Sequence, residues 1–176
     1  MNKADATHRP SRPDFAIEPG PGQESVWDYP RPPAIRRDPR SIEVRDGNDV
    51  IARTTSAYKV METASPPTFY VPRADVDFER LTPVSDTTYC EWKGMATYWA
   101  LARKPDEPVA WSYERPRPRF AVIREYVAFS PGRVDCYLDG ELARTQAGRC
   151  YGGGITSEGV GACKGAPGAG LGSTAD

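Results

Sequence analysis

Through the middle of the chain, apolar and polar residues alternate with a period of two, the pattern of strands that bury one face. "SIEVRDGNDVIART" (residues 41–54) reads as a hairpin turning at Asp46-Gly47, and "VDCYLDGELART" (residues 134–145) as another turning at Asp139-Gly140. Asp-Gly supplies the positive φ that tight hairpins need. "AYKVMET" and "TFYVP" are strand candidates separated by Ser65-Pro66-Pro67, which cannot continue a ladder. "TTYCEW", "MATYWALA" and "VAWSYE" are aromatic and β-branched runs, interrupted by Gly94 and by the stretch from Pro105 to Pro108, and they predict an antiparallel meander. One segment breaks the period: "RFAVIREYVAF" (Arg119 to Phe129) sets Phe120, Ile123 and Val127 near helical spacing after Pro116 and Pro118, which predicts one amphipathic helix. "RDGNDVIART" and "LDGELART" echo each other, as two similar hairpins of a pseudo-symmetric sheet would, although Asp-Gly turns also recur by coincidence.

These elements predict a mainly β fold: a single antiparallel domain, either an open barrel or two packed sheets, with one short helix. Residues 1–23 are rich in Pro, Gly and charge and hold too little apolar surface to fold, so they predict a disordered leader. Residues 159–176 are Gly-rich and predict a flexible tail, which leaves residues 24–158 as the β-rich domain.

Composition narrows the chemistry. A chain of 176 residues, 39% hydrophobic, suits one domain with its own core. With 23 basic and 24 acidic residues and no long run of one sign, it lacks the electrostatic footprint of a nucleic-acid binder. No stretch approaches the ~20 apolar residues of a membrane span, and the first residues lack the apolar core of a secretory signal, so the expectation is a soluble, cytoplasmic protein. Cys90, Cys136, Cys150 and Cys163 form no Cys-x-x-Cys pair; they read as reduced thiols, and neither zinc nor haem is expected. The one histidine, His8, lies in the leader. Mechanisms built on histidine therefore lose a necessary part, and catalysis would have to use carboxylate, lysine, tyrosine, cysteine or a metal on oxygen ligands.

The densest collection of such groups is "TTYCEWKGMATYW" (residues 87–99). As a regular strand, Thr88 to Lys93 places Tyr89, Glu91 and Lys93 on one face and Cys90 with Trp92 on the other. On that basis Cys90 and Trp92 belong to the core, apart from Lys93. Glu91 and Lys93 are either a solvated pair or a catalytic pair on a pocket floor with Tyr89, Glu91 as acid or base and Lys93 holding a ligand anion. Glu62, amid apolar residues, is either paired, with Arg53 as the candidate partner, or shifted in pKa. Trp92, Trp111 and Tyr113 either wall a ligand pocket or fill the core. "ADVDFE" sets Asp75 and Asp77 one residue apart, a weak metal motif with a polar turn as the alternative. "YGGGITS" (residues 151–157) offers either an anion-binding nest or a closing turn.

"ESVWDYPRPP", "IARTTSAYKVMETASPPTFYVPRADV", "TTYCEWKGMATYW", "AWSYERPRP", "VAFSPGRVDCYLDGE" and "YGGGITS", in this order, resemble a bacterial and fungal family of unknown function that carries a nucleotidyltransferase-like label. The resemblance implies one mostly β domain and no settled activity. Its pattern sets a tryptophan where this chain has Gly154, which implies a thinner pocket wall here. Three functional readings stand side by side: a small-molecule-binding β domain, a histidine-free acid–base enzyme acting on an anionic substrate, and a non-catalytic interaction module.

Overall fold

The computed structural model describes residues 11–145 and 153–161. Its strands are, in chain order, β1 (Glu24–Ser25), β2 (Ala34–Asp38), β3 (Ile42–Asp46), β4 (Asp49–Thr54), β5 (Ala57–Met61), β6 (Thr68–Val71), β7 (Leu81–Cys90), β8 (Gly94–Leu101), β9 (Lys104–Ser112), β10 (Val127–Phe129), β11 (Asp135–Leu138), β12 (Glu141–Leu142), β13 (Arg144–Thr145), β14 (Gly154–Ile155) and β15 (Gly159–Val160). A seven-stranded sheet in the order β2-β5-β6-β10-β9-β8-β7 packs on a four-stranded sheet in the order β12-β11-β3-β4. The fold is mainly β and no sheet closes into a barrel. Among the described residues no helix is long and apolar enough to cross a membrane.

The smaller sheet explains the sequence echo. Hairpins β3–β4 and β11–β12 lie side by side, their inner strands paired antiparallel from Ile42↔Leu138 to Arg45↔Asp135. Asp139 and Gly140 form the second turn, both at positive φ. The first turn is one residue later than the sequence pattern suggests: Asp46 pairs with Asp49, which leaves Gly47-Asn48 as the loop.

The expected helix over Arg119 to Phe129 is only a short 3₁₀ segment, Pro118–Ile123. Glu125 at φ 61° ends the helical path, and Val127–Phe129 becomes a central strand buried on both faces. Such a strand reads as a continuous apolar run, which a helical pattern can imitate over a few residues.

Period-two alternation gives the seven-stranded sheet two unlike faces. Ala57, Val71, Val127, Phe129 and Leu101 face Ile42, Val44, Ile51 and Leu138 of the smaller sheet. The opposite face carries Val60, Tyr70, Ala96, Tyr113 and Ala128, covered in part by Phe120 and Ile123 of the 3₁₀ segment. One row on this face crosses all seven strands through successive partners: Arg37, Tyr58, Tyr70, Ala128, Trp111, Tyr98 and Val84.

Measured from that row, Glu62 lies four residues past Tyr58 at one end of the sheet and Lys93 five residues before Tyr98 at the other. On a flat sheet that is a separation of about 30 Å along the strands alone. The two side chains nevertheless approach to 3.8 Å. The sheet therefore coils around its aromatic face, exaggerating the ordinary strand twist until opposite corners meet.

Segments on either side of the two sheets are drawn onto this body. β1 pairs with β15 in parallel, Glu24↔Gly159 and Ser25↔Val160. Upstream, Phe15 packs edge-on against Trp27 at 5.3 Å and Arg12 bonds Asp28 through Nε at 2.6 Å.

Candidate functional site

β7 ends at Cys90, and residues 91–93 form the turn into β8. This overturns the regular strand expected from Thr88 to Lys93. Gly94, at φ +104°, permits the turn, and the backbone N–H of Arg117 donates to the Lys93 carbonyl at 3.0 Å. Once the strand is broken, Lys93 no longer shares a face with Tyr89 and Glu91. It folds inward, only 8% exposed, with its ammonium 5.9 Å from the Phe120 ring centroid and 3.8 Å from Glu62. Phe120 belongs to the aromatic cluster against which Cys90 and Trp92 pack. Lys93 and Cys90, which strand alternation would hold apart, thus face the same cluster.

Glu62 is the first residue after β5 and sits at the diagonal corner described above. Its cationic partner is Lys93; the expected partner, Arg53, is on β4 and bonds Glu43 at 2.7 Å on the other sheet. At 3.8 Å the Lys93–Glu62 contact is an ion pair without a hydrogen bond. Among the described residues the Lys93 ammonium donates no hydrogen bond.

Behind this pair, polar atoms of the aromatic side chains serve one another. Trp111 Nε1 donates to the Tyr70 hydroxyl at 3.2 Å, and the Tyr70 and Tyr113 rings lie 6.4 Å apart. Burial raises Tyr70 above the usual tyrosine range, against the hydrogen bond from Trp111, which works to lower it. Burial foremost raises Tyr113 in the same direction. Both phenols remain neutral hydrogen-bonding groups at physiological pH. Tyr58, Trp92, Tyr98, Trp111 and Tyr126 line the same face and are only partly buried.

Glu62, Lys93, Trp92, Trp111 and Tyr113 are thus brought together, joined by Cys90 and Tyr70. The remaining candidates lie elsewhere. Glu91 is exposed in the turn, and Tyr89 is 60% exposed with its hydroxyl bonded by Arg117 at 2.6 Å. The pocket floor of Tyr89, Glu91 and Lys93 is therefore not formed. Asp75 and Asp77 lie in and beside two 3₁₀ turns, not along a strand; Asp75 accepts from Thr54 at 2.6 Å, and Asp77 caps Glu79 and pairs with Arg80. Among the described residues no three His, Cys, Asp or Glu side chains cluster as metal ligands would. His8, Cys150, Cys163, Tyr151 and Gly152 lie outside the described residues.

Two concavities lie away from this face. One is an apolar cleft between the sheets, lined by residues such as Val44, Phe69, Phe129 and Leu138; Gly154 borders it, where an added Cβ would stand 3.1 Å from that of Ala143 and 3.2 Å from Pro131. The other, beside Arg40 and Ser157, has its polar groups already engaged: Ser157 N–H donates to Glu141 at 2.6 Å, and Arg40 bonds Asp38 and Glu158. The "GITS" backbone amide that would cradle an anion there already holds a carboxylate.

A buried ionic cluster beyond that second concavity has no counterpart in the sequence pattern. Lys59, 5% exposed, bonds Glu24 at 2.8 Å and Glu158 at 2.9 Å; Glu158 also receives Arg40 at 2.6 Å, and Glu24 receives the Tyr29 hydroxyl at 2.8 Å. Lys59 reads as an ordinary outward position of an alternating strand. Its partners are 35 and 99 residues away, so only the folded topology joins them.

A family model described as a domain of unknown function (DUF427), bearing a nucleotidyltransferase label, matches residues 34–140. No curated protein matches the chain. The matched span contains Glu62, Tyr70, Cys90, Lys93, Trp111 and Tyr113, and omits Glu24 and Glu158 of the ionic cluster.

Proposed function

The chain belongs to this DUF427 family of unknown function, and on that premise we propose that it binds a small planar molecule on the aromatic face of the coiled sheet. A carbonyl or carboxylate oxygen of the ligand meets Lys93, and its ring lies against the half-exposed Trp111, Tyr98 and Tyr58. The observation that carries this reading is Lys93 itself. A nearly buried ammonium is costly unless its hydrogen bonds are met, and this one has an ion pair at 3.8 Å and, among the described residues, no acceptor within bonding distance. A ligand oxygen would supply that acceptor, while the surrounding rings give a planar body broad contact.

Thermal unfolding against a metabolite library that includes nucleotides, with and without magnesium, tests it. A ligand that stabilises wild type by about 2.7 kcal/mol at a hundredfold excess over its Kd should lose that effect in Lys93→Met and in Glu62→Gln, and keep it in Glu91→Gln. Loss in Glu91→Gln with retention in Lys93→Met would move the site to the exposed turn and overturn this assignment.

A further inference from the structure

We propose that Lys93 and Glu62 together read the edge of a lactam: a neutral heterocycle, such as a pyridone, pyrimidinone or oxopurine, whose ring carbonyl accepts from Lys93 while the adjacent ring N–H donates to Glu62. The inference rests on the ligand site proposed above and deepens it, since it names the polar edge of the ligand and excludes a free carboxylate.

The two side chains offer opposite hydrogen-bonding roles, because an ammonium only donates and a carboxylate only accepts. Their contact at 3.8 Å is too long for a hydrogen bond, so a ligand that bridges them displaces none. The spacing suits a donor and an acceptor on neighbouring atoms. The oxygen and nitrogen of an amide stand about 2.3 Å apart by standard bond lengths. Hydrogen bonds of about 2.9 Å reach from that pair to the ammonium and the carboxylate with little splay. The Glu62 side chain, 28% exposed, keeps this corner open to solvent, while that of Lys93 is nearly buried. Trp92, next to Lys93 in the turn, and Tyr98 and Trp111 are only partly buried and leave ring surface for a planar body.

Charge selects against the alternatives. The pair carries no net charge. A carboxylate or phosphate set against Lys93 would lie beside the Glu62 carboxylate, and an amine set against Glu62 would lie beside the ammonium, so each gains one attraction and meets one repulsion. A lactam presents a partial charge of the right sign to both. Lys59 supplies the contrast: with carboxylates bonded at 2.8 and 2.9 Å, its pairing is met within the fold.

The test titrates the full chain by isothermal titration calorimetry with three probes of one bicyclic shape: carbostyril, coumarin and naphthoate. Carbostyril is a lactam; coumarin keeps its ring carbonyl and replaces the N–H by a ring oxygen without added bulk; naphthoate carries a carboxylate. Carbostyril should bind one per chain. Coumarin should bind at least about tenfold more weakly, the lower end of what a hydrogen bond to a charged group is worth, and naphthoate should also bind more weakly than carbostyril. Glu62→Met should bring the carbostyril-to-coumarin ratio towards one, and Lys93→Met should weaken both. Lys93→Arg, which keeps a donor, should retain the preference, and the comparison of probes on wild type stands even where a variant fails to fold. Coumarin or naphthoate binding as tightly as carbostyril, a ratio unchanged in folded Glu62→Met, or no carbostyril binding up to its solubility would overturn the lactam assignment. The two readings fail separately. Equal binding of carbostyril and coumarin that depends on Lys93 leaves the planar-ligand site and removes the lactam edge; carbostyril binding indifferent to Lys93→Met removes the site and the edge with it.

Discussion

Two lysines, one on β5 and one in the turn between β7 and β8, are buried to nearly the same degree, Lys59 at 5% and Lys93 at 8% exposure, and they meet opposite surroundings. Lys59 has carboxylates at 2.8 and 2.9 Å, each anchored again by Arg40 or Tyr29. Lys93 has one carboxylate at 3.8 Å and a ring. Burial alone identifies a charge that is expensive to desolvate. The number of hydrogen bonds around it tells whether the fold meets that cost or leaves it to another molecule. By that measure Lys59 is a clasp, tying β5 to the segments carrying Glu24 and Glu158, and Lys93 is, on the proposed reading, a group held ready.

The sharpest way to break the comparison is Lys59→Met. It would leave Glu24 and Glu158 facing a methyl thioether, and removal of one partner of a buried pair costs about 3–5 kcal/mol. Glu24 keeps some exposure, so the lower end of that range is expected, read as a shift in the urea midpoint at unchanged slope. A loss near zero would reduce the cluster to a solvated surface pair, and the contrast with Lys93 would disappear.

Acid titration sharpens the same point with a smaller effect. Burial works to raise the Glu24 carboxyl, but hydrogen bonds from Lys59 and Tyr29 bring it below its ordinary range; Asp38 is likewise raised by burial and lowered further by Arg40. A carboxyl whose folded pKa is depressed contributes stability that is fully present above its unfolded value, about 4 for Asp and Glu, and lost as pH falls through the lower folded value. The thermal midpoint of wild type should therefore fall as pH drops from 4 towards 3 (about the carboxylate window). Lys59→Met should fall less, since Glu24 loses its main partner while Asp38 keeps Arg40. Parallel profiles would mean that Lys59 does not depress Glu24.

The sequence made much of this fold legible because strand alternation is local. The β3–β4 and β11–β12 hairpins, the β7–β8–β9 meander, and the β5 and β6 runs around Pro66-Pro67 each follow from neighbouring residues. Where the reading failed, a local pattern was overruled by distant contacts. Val127–Phe129 imitates a helix turn until it is seen paired between β6 and β9, with Val127 and Phe129 packed on the smaller sheet and Ala128 in the aromatic cluster with Phe120 and Ile123. Glu91 and Lys93 share a face only if the strand continues, and Gly94 at positive φ was the signal that it does not. The proposed site was half legible. Trp92, Lys93, Trp111 and Tyr113 stood out by residue type, and Glu62 by its apolar surroundings. The pairing of Glu62 with Lys93 was hidden because it depends on the coil of the whole sheet, a property that no short window encodes. The Lys59 cluster was hidden for the same reason.

The smallest expected effect is the most informative when set beside the largest. Lys93→Met makes the same chemical change as Lys59→Met at a similarly buried position, yet it deletes an ion pair without a hydrogen bond and leaves a flexible apolar chain against Phe120. Glu62, whose side chain keeps 28% exposure, is not stranded as a fully buried carboxylate would be. The expected change in unfolding free energy is within about 1 kcal/mol of wild type, in either direction, as for a weak or partly solvated pair. A loss equal to that of Lys59→Met would make Lys93 a second clasp, closing the coiled sheet corner to corner, and would remove the observation on which the ligand site rests. A gain in stability would mean that the ammonium is retained at the expense of the fold, as the proposed ligand site requires.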